Sequence, residues 1–102
     1  MAMTLRHVVM FRWNDDVGES HRAAVRAALS TLPGRIPEIA DYRHGPDAGI
    51  NDGNFDYVVV ADFASRDHYL VYRDHPDHQA VIAELITGHV AARAAVQYEI
   101  AD

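Results

Sequence analysis

The stretch Leu5-Arg6-His7-Val8-Val9-Met10-Phe11-Arg12-Trp13 decides how the rest of the chain is read. Successive side chains of a strand point to opposite faces, so Leu5, His7, Val9, Phe11 and Trp13 share one face and Arg6, Val8, Met10 and Arg12 the other. The first face is apolar except for His7, and the second carries Val8 and Met10 between its arginines. A strand with apolar residues on both sides is covered on both sides. Phe55 to Phe63 repeats the pattern, with Phe55, Tyr57, Val59, Ala61 and Phe63 opposed to Asp56, Val58, Val60 and Asp62.

Outward from these strands, an apolar stripe at Val25, Ala28, Leu29 and Leu32 predicts a helix over Glu19 to Leu32, stopped by Pro33-Gly34. Ile39 to His44 reads as a short strand, and Gly45 to Asn54 as a turn-rich loop. Ser65 is placed to cap a helix reaching about Arg73, and Pro76 to open a second piece that runs to Ile86 and closes at Gly88. Val90 to Ile100 is the last strand, with Val96, Tyr98 and Ile100 on one side and Gln97 and Glu99 on the other. The order β-α-β-β-α-β over residues 1–102 predicts one α+β domain. It is the ferredoxin-like arrangement, a four-stranded antiparallel sheet with its helices on one face. The helix-free face then exposes Val8, Met10, Val58 and Val60, which a second copy would cover, so a two-fold homodimer is expected.

Composition narrows the chemistry. The 102 residues carry 15 acidic against 9 basic side chains, and a net charge of −6 argues against nucleic acid and anionic membranes as partners. All the basic residues are Arg, which removes Schiff-base chemistry, and the absence of Cys removes thiolate metal sites and thiol nucleophiles. No apolar run approaches the roughly 20 residues of a membrane span, and no secretory leader pattern opens the chain, so a cytoplasmic location is expected. No serine sits in a nucleophile elbow and no glycine loop suits a phosphate.

Titratable and aromatic groups concentrate in Tyr69-Leu70-Val71-Tyr72-Arg73-Asp74-His75-Pro76-Asp77-His78. With a helix restarting at Pro76, His78 shares the inward stripe with Val81, Ile82 and Leu85, while Tyr72 faces the sheet from the previous turn. His7 is the polar member of the apolar face of the first strand. Two readings of these residues stand side by side. They are buried polar groups satisfied by backbone, or they form a pocket in which His78 is a general base and Tyr72 donates to a developing oxyanion. His75 and His78 point apart across the proline, so a metal site is not expected there, and His21, His44 and His89 read as solvated surface.

The segments Arg6-His7-Val8-Val9-Met10-Phe11, Gly45 to Asn54, Ala61-Asp62-Phe63 and, most specifically, Tyr72-Arg73-Asp74-His75-Pro76-Asp77-His78 resemble the stress-responsive dimeric α/β-barrel (Dabb) domain family over about residues 4 to 100. The resemblance implies a ferredoxin-like fold whose sheets pack as a dimeric α/β barrel. Some members of that family are known as stress-induced proteins without an assigned activity, and its olivetolic acid cyclase branch performs a cofactor-free aldol condensation. Carried over residue by residue, it implies His78, Tyr72 and His7 as catalytic groups. The expected substrate pocket adds Val9, Phe11 and Val59 and takes a small, mostly apolar carbonyl compound. The first expectation is a homodimer with this small-molecule pocket, stress-related and without an assigned activity; the alternatives are a cofactor-free, cyclase-like aldol condensation with His78 as base and Tyr72 as oxyanion donor, and a cofactor-free monooxygenase of the wider superfamily. Gln97 stands where the cyclase branch carries Asp; an amide can orient an imidazole by accepting a hydrogen bond but does not offset its charge.

Overall fold

In the computed structural model, which describes residues 3–101, strand β1 (Met3–Trp13) is the axis of the sheet. It pairs antiparallel with β3 (Tyr57–Phe63) on one side and β4 (Val90–Ala101) on the other, and β2 (Ile39–Pro46) completes the order β2-β3-β1-β4. The remaining elements are α1 (Glu19–Thr31), α2 (Arg66–Asp74), α3 (Pro76–Val81) and a π-turn (Ile82–Ile86). The register sets His7 between Ala61 and Gln97, and Phe11 between Tyr57 and Arg93. Because side chains alternate, these all belong to the face that the helices cover.

Val25 and Leu29 of α1, with Leu32, are buried in one cluster with Val59, Ala61 and Phe63 of β3, and this cluster belongs to the core. The α-helix ends just before Pro33-Gly34, as expected, but those two residues are not a plain stop. Leu32–Gly34 continues as a 3-10 turn in which the Leu32 carbonyl accepts from both Arg35 and Ile36, and Ile36 is fully buried. Proline is tolerated there because the first turn of a helix leaves its N–H groups unpaired. A second departure concerns Phe55, expected on the inner face of β3. The β1–β3 pairing ends at Tyr57, the Asp56 carboxylate accepts the Trp13 N–H at 2.8 Å, and the Phe55 ring lies under the Arg12 guanidinium at 4.9 Å.

The other face of the sheet carries no helix. Val8 lies between Val60 and Val96 in the register, Met10, Val96 and Tyr98 are exposed, and the Arg6 guanidinium grips the Asp62 carboxylate in two bonds of 2.8 and 2.9 Å. Among the described residues no helix is long and apolar enough to cross a membrane.

The π-turn was not legible in the sequence. Thr87 N–H reaches back five residues to the Ile82 carbonyl at 2.8 Å, and Gly88 turns the chain into β4 at φ +81. A Cβ at Gly88 would meet nothing within 4 Å, so only backbone conformation opposes a side chain there. Gly88→Ala is therefore expected to lower stability by about 1 kcal/mol, read from denaturant unfolding.

Candidate functional site

The site begins at the break between α2 and α3. Ser65 Oγ accepts the His68 N–H at 3.1 Å and starts α2 as the sequence leads one to expect. Pro76 disfavours helical geometry at the residue before it, and His75 is extended at φ −63, ψ 134. In an unbroken helix the Arg73 carbonyl would take the Asp77 N–H; here that N–H turns to His75 Nδ1 at 3.1 Å. The vacated Arg73 carbonyl accepts instead from His78 Nδ1 at 3.1 Å and Gln79 Nε2 at 2.5 Å. A carbonyl only accepts, so Nδ1 carries the His78 proton and Nε2 is bare. The ring is further fixed by stacking on Tyr72, with centroids 4.0 Å apart.

Tyr72 is buried, and its hydroxyl lies 3.0 Å from that of Tyr42 on β2. Burial pushes the Tyr72 phenol up to about 12 and drives Tyr42 further above its ordinary range, so both keep their protons. His7 faces them from β1, its ring 6.3 Å from that of Tyr72 and 5.1 Å from that of Tyr69. Gln97 Nε2 donates to His7 Nδ1 at 2.7 Å, which leaves the His7 proton on Nε2. The amide thus donates, where the sequence reading has it accept, and its partner is His7. Burial, with the charge of Arg93 and proximity of His78, lowers His7 to about 4, and burial also lowers His78. Near neutral pH the site holds two neutral imidazoles and two neutral phenols.

These groups line a cavity of about 450 Å³ between sheet and helices, whose walls include His7, Val9, Phe11, Val59, Tyr72 and His78. All six residues singled out from the sequence are brought together there. Tyr69, Ile82, Ile86 and Arg93 are among the further wall residues not named as site residues from the sequence, and the Tyr42 hydroxyl meets that of Tyr72. Period-two reading of β4 could have found Arg93, which shares a face with Gln97, whereas the π-turn that aims Ile86 inward leaves no mark in the spacing. Two other hollows, of about 540 and 420 Å³, are bordered by Met10 and Val58 and by Tyr98 and Leu70 respectively, and neither includes His78.

Three histidines read as solvated surface are engaged. His44 Nδ1 meets the Tyr57 hydroxyl at 2.5 Å and its Nε2 meets Ser30 Oγ at 3.1 Å; because Ser30 donates its proton to the Arg26 carbonyl, it accepts from His44. His21 Nε2 bonds the Leu85 carbonyl at 2.8 Å and its ring lies 4.1 Å from that of His89. Their partners come from elements distant in sequence, which spacing does not reveal. Among the described residues, no group of three or more His, Asp or Glu side chains stands ready for a metal ion.

A comparison with curated proteins finds no match. Among solved structures, a dimeric ferredoxin-like protein of unknown function from Thermobifida fusca YX is 44% identical, with 98% of this chain and 93% of that one covered at a TM-score of 0.90. A dimeric protein of unknown function and ferredoxin-like fold from Bacteroides fragilis NCTC 9343 is 26% identical over 95% of this chain and 96% of its own, with a TM-score of 0.80. The hydroxynitrile lyase of Passiflora edulis shares the fold at 18% identity, with 97% and 94% of the two chains covered and a TM-score of 0.84. The Stress Responsive A/B Barrel Domain (Dabb) family matches residues 5–100, nearly the whole length, and this chain belongs to that family.

Proposed function

We infer that this chain works as a homodimer and that the cavity of each subunit takes a small, mostly apolar carbonyl compound for acid–base chemistry without a cofactor. The observation that carries the reading is the bare Nε2 of His78, on a ring held by the Arg73 carbonyl and by Tyr72, at the wall of an otherwise mostly apolar cavity. A proton α to the carbonyl passes to His78 Nε2, and the electron pair it leaves moves onto the carbonyl oxygen. That oxygen accepts from the Tyr72 hydroxyl and from His7 Nε2–H, a pair of preorganised donors. Tyr42 supports the arrangement by donating to Tyr72, whose own proton then serves the ligand. The enolate adds to a second carbonyl carbon, forming the new carbon–carbon bond, and His78 returns its proton to the resulting alkoxide.

The homodimer reading is supported by the helix-free face, where Val8 and Val60 are half-buried and Val96 and Met10 exposed with no helix over them among the described residues, and by two relatives described as dimeric. Burying such a face removes apolar surface from water at about 25 cal/mol per Å². A binding dimer without turnover is the second reading, favoured by the same bonds of His78 and Tyr72, which also brace the cavity wall.

Hydrogen–deuterium exchange of the α-protons of heptan-2-one, followed by NMR, separates the two readings. His78→Ala is expected to reduce the protein-dependent exchange by at least ~100-fold with the far-UV spectrum unchanged; exchange that survives the substitution overturns the mechanism. The base must be unprotonated, so activity is expected to fall as pH drops through the lowered pKa of His78 and to hold level above neutrality, since Tyr72 loses its proton only near 12.

His7 contributes to the loss of stability in acid. Its folded pKa of about 4 lies below the 6.5 of an unfolded histidine, so between these values the unfolded chain binds the proton and the folded one does not. Stability is expected to fall by up to about 3 kcal/mol from this group as pH drops from 6.5 to 4, and His7→Gln should flatten that slope in denaturant titrations. Val96→Asp, at an exposed position, is expected to yield folded single subunits at micromolar concentration in sedimentation velocity.

A further inference from the structure

Arg93 is the feature of the cavity that carbonyl chemistry alone leaves unused. It stands on the helix-covered face of β4, opposite Phe11 and four residues before Gln97, and it forms part of the cavity wall. No acidic side chain lines that wall, and among the described residues Arg93 enters no ion pair. The other arginine at the cavity, Arg73, is occupied, since its guanidinium makes two bonds of 2.9 and 3.1 Å to Asp74. Arg93 is solvent-exposed and, without a carboxylate partner among the described residues, shares the cavity wall with Phe11, Ile86 and Val90; a planar anion such as a carboxylate is the natural bidentate partner of a guanidinium so placed.

The placement also sets a distance. His7 and Phe11 are four residues apart on β1, about 13 Å along a strand, and Arg93 lies opposite Phe11 while the imidazoles and Tyr72 gather around His7. An arginine side chain can reach across part of such an interval, and a ligand chain of several carbons would span the rest. Val9, Phe11, Val59 and Ile82 supply an apolar floor between the two ends.

We propose that Arg93 is the anion anchor of this cavity and that its ligand is an oxo-carboxylate, with the carboxylate on Arg93 and the carbonyl at His78, Tyr72 and His7. This deepens, and rests on, the reading of the cavity as a carbonyl-compound site. The charge of Arg93 already acts on the far end of the cavity, being one of the causes that keep His7 neutral. A bound carboxylate would offset that charge and leave the two imidazoles facing a ligand of compensated charge.

Calorimetric titration of the full chain with 6-oxoheptanoate, its methyl ester and heptan-2-one tests the proposal. The acid is expected to bind about tenfold or more tightly than the ester, in keeping with a charge-assisted pair, and added salt should weaken the acid alone. In Arg93→Gln that preference should vanish while the ester keeps its affinity within about twofold, which also shows the variant folded; Arg73→Gln should keep the preference. Equal binding of acid and ester by the unsubstituted protein, or a preference that survives in Arg93→Gln, overturns the anchor and leaves the carbonyl site standing. Failure of all three probes to bind at millimolar concentration overturns both.

Discussion

A single carbonyl group, that of Arg73, organises the site. Pro76 disfavours helical geometry at His75, the Asp77 N–H is drawn to the His75 ring, and the oxygen left without its helical partner collects the side chains of His78 and Gln79. A backbone acceptor without a partner costs free energy, so the break demands that donors be supplied nearby. His78 meets that demand with Nδ1, and the consequence is chemical as well as structural: the tautomer and the ring plane are set together, and the second nitrogen is bare. The stacking partner Tyr72 comes from the last full turn of α2, so the two groups that would share a substrate are held by the same interruption.

The sheet contributes the opposite wall. His7 is the polar member of an apolar row, buried between Ala61 and Gln97, and the amide of Gln97 gives it a donor in place of a charge. A carboxylate at that position would favour an imidazolium; an amide with burial favours the neutral ring. The result is a cavity in which acid–base groups are abundant and charge is confined to arginines, of which Arg73 is paired with Asp74.

Bracing from outside completes the arrangement. His21 on α1 holds the Leu85 carbonyl of the π-turn, Asn14 donates from Nδ2 to the Gly88 carbonyl at 3.0 Å, and its backbone N–H bonds His89 at 2.9 Å. These contacts tie the wall carrying Ile82 and Ile86 to the end of β1 and the start of β4. A π-turn widens the helix locally and gives up regular hydrogen bonds, and the histidine recovers one of them.

Element order, the two-sided strands, the Ser65 cap, the break at Pro76 and the meeting of Tyr72, His78 and His7 on one interior space were legible in the sequence. Each follows from a local rule: period two in strands, period 3.6 in helices, and the missing N–H of proline. Phe55, the continuation past Pro33, the π-turn, the Tyr42–Tyr72 pair and the partners of His21, His44 and His89 were not, because each depends on which element lies beside another. Sequence by itself determined which face every side chain of β1 and β3 would take, since alternation is a property of one strand. Only the tertiary structure decided that Gln97 would donate to His7 and that Arg93 would line the same cavity without an ion pair among the described residues. Register between strands is set by the packing of the whole sheet, and no single segment carries it.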